Sequence, residues 1–286
     1  MKSIIKESIQ KLDIVIWIIT LLFFIFSAIL SNGDIINSIY GAIAVIILMF
    51  FIGLSIELIL SALKNVKGLG KITGFITNGP EALVLIVGLV TGDILFAAST
   101  PLGSNVMNPI LLIIGIFVTG MFLKVKEFQH KFFFFSSFVL TAFLATIFFK
   151  IPESLFIYWV GITLFTSFYL FSKKFVDVHD STEVEKSENK MYLPLGIIIL
   201  LISGSFLDKI VSFTADASNA PKGLIGFLVL ATLTSWPEFK SILGLLKRNK
   251  IMDSFMNIMV SNITNLWLAS GGVIIWLIIE FKKIMN

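Results

Sequence analysis

The chain has no cysteine. Disulfides, thiolate metal sites and cysteine nucleophiles are thereby excluded. Histidine is nearly absent as well: His130 and His179 both lie in polar stretches, and no zinc-type spacing exists. Charge is scarce, at 14% of 286 residues, where an average soluble chain carries about 25%. Tyrosine numbers 4 against 29 phenylalanines. Apolar residues fill the chain instead, at 57%, where soluble domains carry roughly 45–50%. So little charge cannot cover a soluble fold of this size. A soluble enzyme, a nucleic-acid-binding module and a disordered chain are excluded. The expected class is an all-α polytopic membrane protein, with the lipid bilayer as its first partner.

A helix needs about 20 apolar residues to cross a bilayer. Nine such segments are expected, over residues 14–31, 36–63, 70–91, 94–123, 132–149, 154–172, 192–215, 223–246 and 252–281. The runs are long and continuous, unlike the ten-residue alternations of a barrel. Lys2, Lys6 and Lys11 precede the first segment as they would a signal peptide. Its apolar run is too long for one and no clear small-residue cleavage site follows, so it reads as a retained span.

Orientation follows from the cytoplasmic excess of Lys and Arg. With the N-terminus inside, sixteen of the 22 basic residues fall in inner loops and five outside, while Lys240 lies within a span. The bias predicts a cytoplasmic N-terminus and an outer C-terminus. With no organelle-targeting signal, it suits the plasma membrane of a prokaryote. The polar segment KKFVDVHDSTEVEKSENK, from Lys173 to Lys190, reads as a solvated linker dividing the chain.

The two halves share a pattern. Residues 75–110 align with residues 232–267 without a gap, at an offset of 157. Thr77, Pro80 and Glu81 fall on Thr234, Pro237 and Glu238. Ser104, Asn105 and Asn108 fall on Ser261, Asn262 and Asn265. Shared composition explains matched Leu and Ile; it does not explain a matched Pro-Glu followed by a matched Ser-Asn-x-x-Asn. Glu57 in the span before the first motif resembles Asp208 before the second. Five spans separate the repeat starts, and an odd number reverses orientation. The repeats are therefore expected to be inverted, an arrangement typical of secondary transporters with a midplane site. The expected divisions are residues 1–35 (cytoplasmic N-terminus and an extra span), 36–172 (first repeat), 173–191 (linker) and 192–286 (second repeat).

Glu81 and Glu238 lie inside apolar spans, where a carboxylate is costly and usually serves function. Each follows a proline, which removes a backbone donor and interrupts the helix. Carbonyls near Gly74 and Ala231 are thereby candidates for freed ligands. Ser104 and Asn108 are four apart, as are Ser261 and Asn265, so each pair shares a helix face. Thr77, Asn78, Thr234 and Ser235 add oxygens on the turn before the glutamates. The set is all oxygen, as hard cations such as calcium and sodium require. Ser, Thr and Asn also pack membrane helices without any ligand. Their recurrence in two related motifs favours an ion site.

NGPE and SWPE, with GSNVMN and VSNITN, resemble the two alpha-repeats of the calcium/cation antiporter superfamily, which includes the sodium/calcium exchangers. The resemblance covers roughly residues 36–124 and 192–282. It implies an exchanger in which calcium and a counter-ion alternate at one central site. It implies Glu81 and Glu238 as principal calcium ligands, with Asn108 and Asn265 at the paired lower positions. Ser104, Ser261, Thr77 and Thr234 match sodium-coordinating positions, and no cofactor is implied. The first span of each repeat would slide past the rest.

The chain departs from that pattern in places. It carries an extra span before the first repeat and ends after the third span of the second. Asn265 stands where many sodium-coupled members have Asp, Val260 where Gly is usual, and Asn78 where Ser is common. Lys240, two residues past Glu238, has no basic counterpart, since Leu83 takes that place in the first repeat. At i+2 it lies about 200° around the helix from Glu238. Facing inward, it would oppose a divalent ion. One negative charge fewer lowers the number of sodium ions held at once, and buried glutamates gain proton affinity. Sodium and proton coupling both remain open. The expected function is a secondary cation antiporter. A cation channel and a non-transporting, exchanger-like cation-binding protein are the alternatives. A membrane enzyme is disfavoured, because no span contains a histidine and no basic cluster could hold a phosphate.

Overall fold

The computed structural model describes residues 4, 8–64, 66–92, 94–173, 191–220, 229 and 232–285. Its described regular structure is entirely helical: α1 (Lys11–Leu30), α2 (Ile35–Ala62), α3 (Leu69–Thr77), α4 (Gly79–Thr91), α5 (Ile94–Val118), α6 (Phe122–Glu127), α7 (Lys131–Phe148), a 3-10 turn (Glu153–Leu155), α8 (Phe156–Ser172), α9 (Tyr192–Ala217), α10 (Trp236–Lys247) and α11 (Ile251–Met285). Among the described residues, eight stretches are long and apolar enough to cross a membrane: Lys11–Leu30, Ile35–Ala62, Leu69–Thr91, Pro101–Val118, Lys131–Phe148, Glu153–Ser172, Tyr192–Ala217 and Ile251–Lys282. They match eight of the nine expected spans to within a few residues, except that the apolar stretch in the fourth is shorter at both ends. Most of the first half of the remaining span, 223–246, lies outside the described residues, as do Ala231 and nearly all of the linker. The outward faces carry side chains such as Phe165, Val139 and Leu123, each more than two-thirds exposed. An apolar exterior is what hydrocarbon solvent requires, with the polar backbone satisfied inside each helix.

The chain divides into two compact units, Met1–Lys64 with Ser187–Gly244 and Asn65–Lys186 with Leu245–Asn286. In the first unit α9 packs along α2. The pair runs antiparallel: Gly41 near the start of α2 abuts Thr214 near the end of α9, and Gly196 near the start of α9 abuts Ser55 and Ile59. A Cβ at Gly196 would sit 2.8 Å from Ile59 Cγ1 and 2.9 Å from the Ser55 carbonyl oxygen. Small residues thus let the two backbones approach, the usual device where hydrocarbon offers no hydrophobic drive. The contacts repeat at one offset, since Gly41 and Gly196 are 155 apart and so are Ile59 and Thr214. Asp34 opens α2 by accepting from the Asn37 N–H at 3.0 Å, while its own N–H donates to the Ala217 carbonyl at 2.7 Å. α1 packs on α2, and Trp236 of α10 is fully buried with its indole N–H on the Met49 carbonyl at 3.1 Å.

The second unit is built around α11, which packs on α3, α5, α7 and α8. Its 35 residues extend about 50 Å at 1.5 Å per residue. The first turns of α11 run parallel to α3. The Gly70 N–H donates to Asp253 Oδ1 at 2.8 Å, Asn257 Nδ2 to Thr73 Oγ1 at 2.9 Å and Asn78 Nδ2 to the Ser261 carbonyl at 2.8 Å. Each step advances roughly one helical turn on both helices. Gly70 and Gly74 set the approach, for a Cβ on either would collide with α11 backbone at Asp253 or Asn257. α5 crosses α11 the other way, with Ala98 against Gly272 and Asn105 against Asn262. Phe134, Phe138 and Phe255 close one end of this unit with mutual ring contacts. Phe148, Phe156 and Trp159 stack elsewhere, the Trp159 indole held on the Leu144 carbonyl at 2.8 Å.

Candidate cation site

Both Pro-Glu motifs open a helix after a break. In the second unit α3 ends at Asn78, and Pro80 stands at the start of α4 with Glu81 in its first turn. In the first unit a turn at Ser235 precedes α10, with Glu238 in its first turn. The two breaks are 157 residues apart, like the motifs themselves. Proline is at home in a first helical turn, where its missing N–H costs nothing. A carboxylate there is favoured by the helix dipole, by about 0.3–1 kcal/mol near a surface. Glu81 and Glu238 are both buried. The Gly74 carbonyl, expected to be freed, accepts a long bond of 3.4 Å from Thr77 Oγ1.

Seven of the ten predicted site residues lie in the second unit: Thr77, Asn78, Glu81, Ser104, Asn108, Ser261 and Asn265. All seven are buried. Thr234, Ser235 and Glu238 belong to the first unit. Within the second unit, Asn78, Asn108 and Ser261 are bonded directly. Ser261 Oγ donates to Asn78 Oδ1 at 3.0 Å and accepts from Asn108 Nδ2 at 3.1 Å.

Four asparagines knit α5 to α11. Asn105 Nδ2 donates to the Asn262 carbonyl at 3.1 Å, and Asn262 Nδ2 to the Asn105 carbonyl at 3.4 Å. Asn108 Nδ2 donates to Asn262 Oδ1 at 3.1 Å, and Asn265 Nδ2 to Asn105 Oδ1 at 3.0 Å. Each bond has a counterpart with the two motifs exchanged. Proline contributes: Pro109 lies within α5, four residues after Asn105, and supplies no N–H to the Asn105 carbonyl. That acceptor is thereby open to Asn262. Other bonds break the symmetry, among them Asn262 Nδ2 to Thr141 Oγ1 at 3.0 Å and Asn108 Nδ2 to Ser261 Oγ at 3.1 Å.

The clasp fixes which way two amides point. Reversing Asn108 would set its oxygen against Asn262 Oδ1, and reversing Asn265 would set its oxygen against Asn105 Oδ1. Both reversals oppose two acceptors. The amide nitrogens are therefore committed to the helix crossing, while Asn108 Oδ1 and Asn265 Oδ1 are buried with no hydrogen-bond partner among the described residues. A buried acceptor left so costs about 1–3 kcal/mol. Two such oxygens at matched positions suit a cation ligand set better than a packing motif. Among the described residues no three His, Cys, Asp or Glu side chains gather as a metal cluster. Any cation held here would meet amide and hydroxyl oxygens with few charges, the chemistry of a hard ion held loosely enough to leave.

Sequence reading passed over Asn105 and Asn262 as ligands, although the repeat had already matched them; their carbonyl bonds show them to be the clasp. It also passed over Asp13. Lys240 Nζ, buried in the first unit, donates to Asp13 Oδ2 at 2.8 Å and to the Ser8 carbonyl at 3.0 Å. Lys240, whose matched position in the first motif is Leu83, is thus neutralised by Asp13 of α1.

No curated protein and no solved structure matches the chain. Residues 191–285, which contain Asn262 and Asn265 of the clasp together with Ser261 and Glu238, match the family model described as sodium/calcium exchanger protein. That similarity over residues 191–285, with eight stretches long and apolar enough to cross a membrane among the described residues, supports a cation exchanger-like membrane transporter.

Proposed function

We propose that the chain is a secondary active antiporter that exchanges calcium for sodium or protons by alternating access. Glu81 and Glu238 are the principal calcium ligands. Asn108 and Asn265 add amide oxygens, and Thr77, Asn78, Ser104, Thr234, Ser235 and Ser261 complete an oxygen-only set. The observation that carries this reading is the asparagine clasp, which turns two motif-related amide oxygens away from hydrogen-bond donors. The exchanged equivalence of its bonds supports two inverted repeats, 36–172 and 192–286, preceded by an extra helix and joined by the linker. The antiparallel glycine contacts of α2 with α9 support a pair of first helices able to slide. In this reading the N-terminus is cytoplasmic and the membrane is the plasma membrane of a prokaryote.

The mechanism is competition. Two glutamates neutralise one divalent ion, and two protons or a set of sodium ions can take its place. Asn265 contributes an oxygen without charge, so calcium leaves a site of only two formal charges. The test is uptake of radioactive calcium into sealed liposomes under an outward sodium gradient and, separately, an outward proton gradient. Uptake driven by one gradient and abolished in both Glu81→Gln and Glu238→Gln is expected. Uptake that needs neither gradient would make the protein a channel, and folded protein with no uptake would remove calcium as the substrate.

A further inference from the structure

The geometry points to Asp13 as a positioning residue for the cation site: it holds and neutralises the Lys240 ammonium, so that a positive charge two residues from Glu238 does not oppose the cation. The inference rests on Glu238 being a ligand.

The niche is built for this. Lys240 is 4% exposed and Asp13 1% exposed, and their contact is 2.8 Å. The ammonium takes a second acceptor in the Ser8 carbonyl, at 3.0 Å. Asp13 Oδ2 also accepts the Gln10 N–H at 2.7 Å, which anchors the carboxylate at the start of α1. Gly53 on α2 makes room, since a Cβ there would lie 3.1 Å from Lys240 Cε and 3.3 Å from the Ser8 carbonyl oxygen. Three separate segments of the first unit converge on one ammonium. A buried ion pair seldom stabilises a fold more than apolar residues of the same shape would. Its retention therefore calls for another reason, and Glu238 on the same helix supplies one.

Lys240 and Glu238 project from opposite sides of a cylinder about 10 Å across. Through a protein of effective dielectric about 20, a bare unit charge at that distance changes cation affinity about tenfold or more. Paired with Asp13, the ammonium contributes a short dipole instead. α1, the span outside the repeat, is in this account part of the transport apparatus, because it carries the counter-charge.

The experiment measures calcium binding by titration calorimetry of the purified full-length chain, with folding followed by size-exclusion elution and melting temperature. Asp13→Asn is expected to weaken binding about tenfold or more. Lys240→Met is expected to leave it unchanged or tighten it. The double variant is expected to return within about twofold of the wild type. A purely structural ion pair predicts loss in both single variants, so the opposed signs discriminate. Equal weakening in both singles, an unaltered Asp13→Asn, or a double variant no better than Asp13→Asn overturns the inference. If the singles do not fold, the neutral double decides: binding near wild type supports the inference, and a folded double that has lost binding overturns it. Wild-type protein that binds no calcium overturns the proposed function and this inference with it, whereas wild-type binding with an unrescued Asp13→Asn overturns this inference alone.

Discussion

Two of the polar assemblies buried among the described residues are built on opposite principles. The clasp between α5 and α11 uses no charge: four amides, each bond answered by its counterpart. The Lys240 niche in the first unit uses one full charge of each sign and has no counterpart in the other repeat. Amides orient oxygens without attracting counter-ions, so they can frame a cation site that must also empty. A buried lysine needs compensation, and here Asp13 of α1 supplies it. The matched residues thus supply uncharged amide oxygens, while the unmatched Lys240 is cancelled by Asp13 of α1.

Unfolding measurements in detergent can break this comparison. Removing one partner of the charged niche should have the largest effect. Asp13→Asn leaves a buried ammonium and is expected to cost about 3–5 kcal/mol, while Asp13→Leu with Lys240→Met together should cost far less. A double variant as damaged as the single would show that hydrogen-bond geometry, not charge, holds the niche.

Next is the clasp. Asn262→Leu deletes its bonds to Asn105, Asn108 and Thr141, and is expected to cost about 3 kcal/mol at roughly 1 kcal/mol per bond. Asn105→Leu should cost somewhat less, because it has no partner equivalent to Thr141. Equal melting temperatures for the two variants would argue that the Thr141 bond contributes nothing.

Smaller effects separate close approach from open helix surface. Gly196→Ala should cost about 1–2 kcal/mol, as overpacking does, because its Cβ meets Ile59 and the Ser55 carbonyl. Gly161→Ala on α8, where a Cβ meets nothing within 4 Å, should instead raise stability by up to about 1 kcal/mol through helix propensity. A lowered melting temperature for Gly161→Ala would reveal packing on that face.

Much of the candidate site's pattern was legible because it is repetitive. The offset of 157 pairs Glu81 with Glu238 and Asn108 with Asn265 along the chain. It also paired Asn105 with Asn262, yet their task could not be read, since spacing says which residues share a face and not which helix that face meets. The break at Asn78 was legible from Pro80, a local backbone effect. The niche was not. Lys240 stands out as a charge within a span, but Asp13 does not, and 227 residues separate the two. No periodicity connects residues that far apart.

The sequence by itself determined that this is a helical membrane chain, where eight of its nine expected spans lie, and which oxygens recur. Those properties depend on local apolar length, proline and repetition along the chain. Tertiary structure alone decided that Asn105 and Asn262 clasp the crossing, that Asn108 and Asn265 present oxygen rather than nitrogen, and that Asp13 neutralises Lys240. An amide has the same composition facing either way, and a charge has the same sign paired or bare. Only the neighbours brought by folding choose between those states.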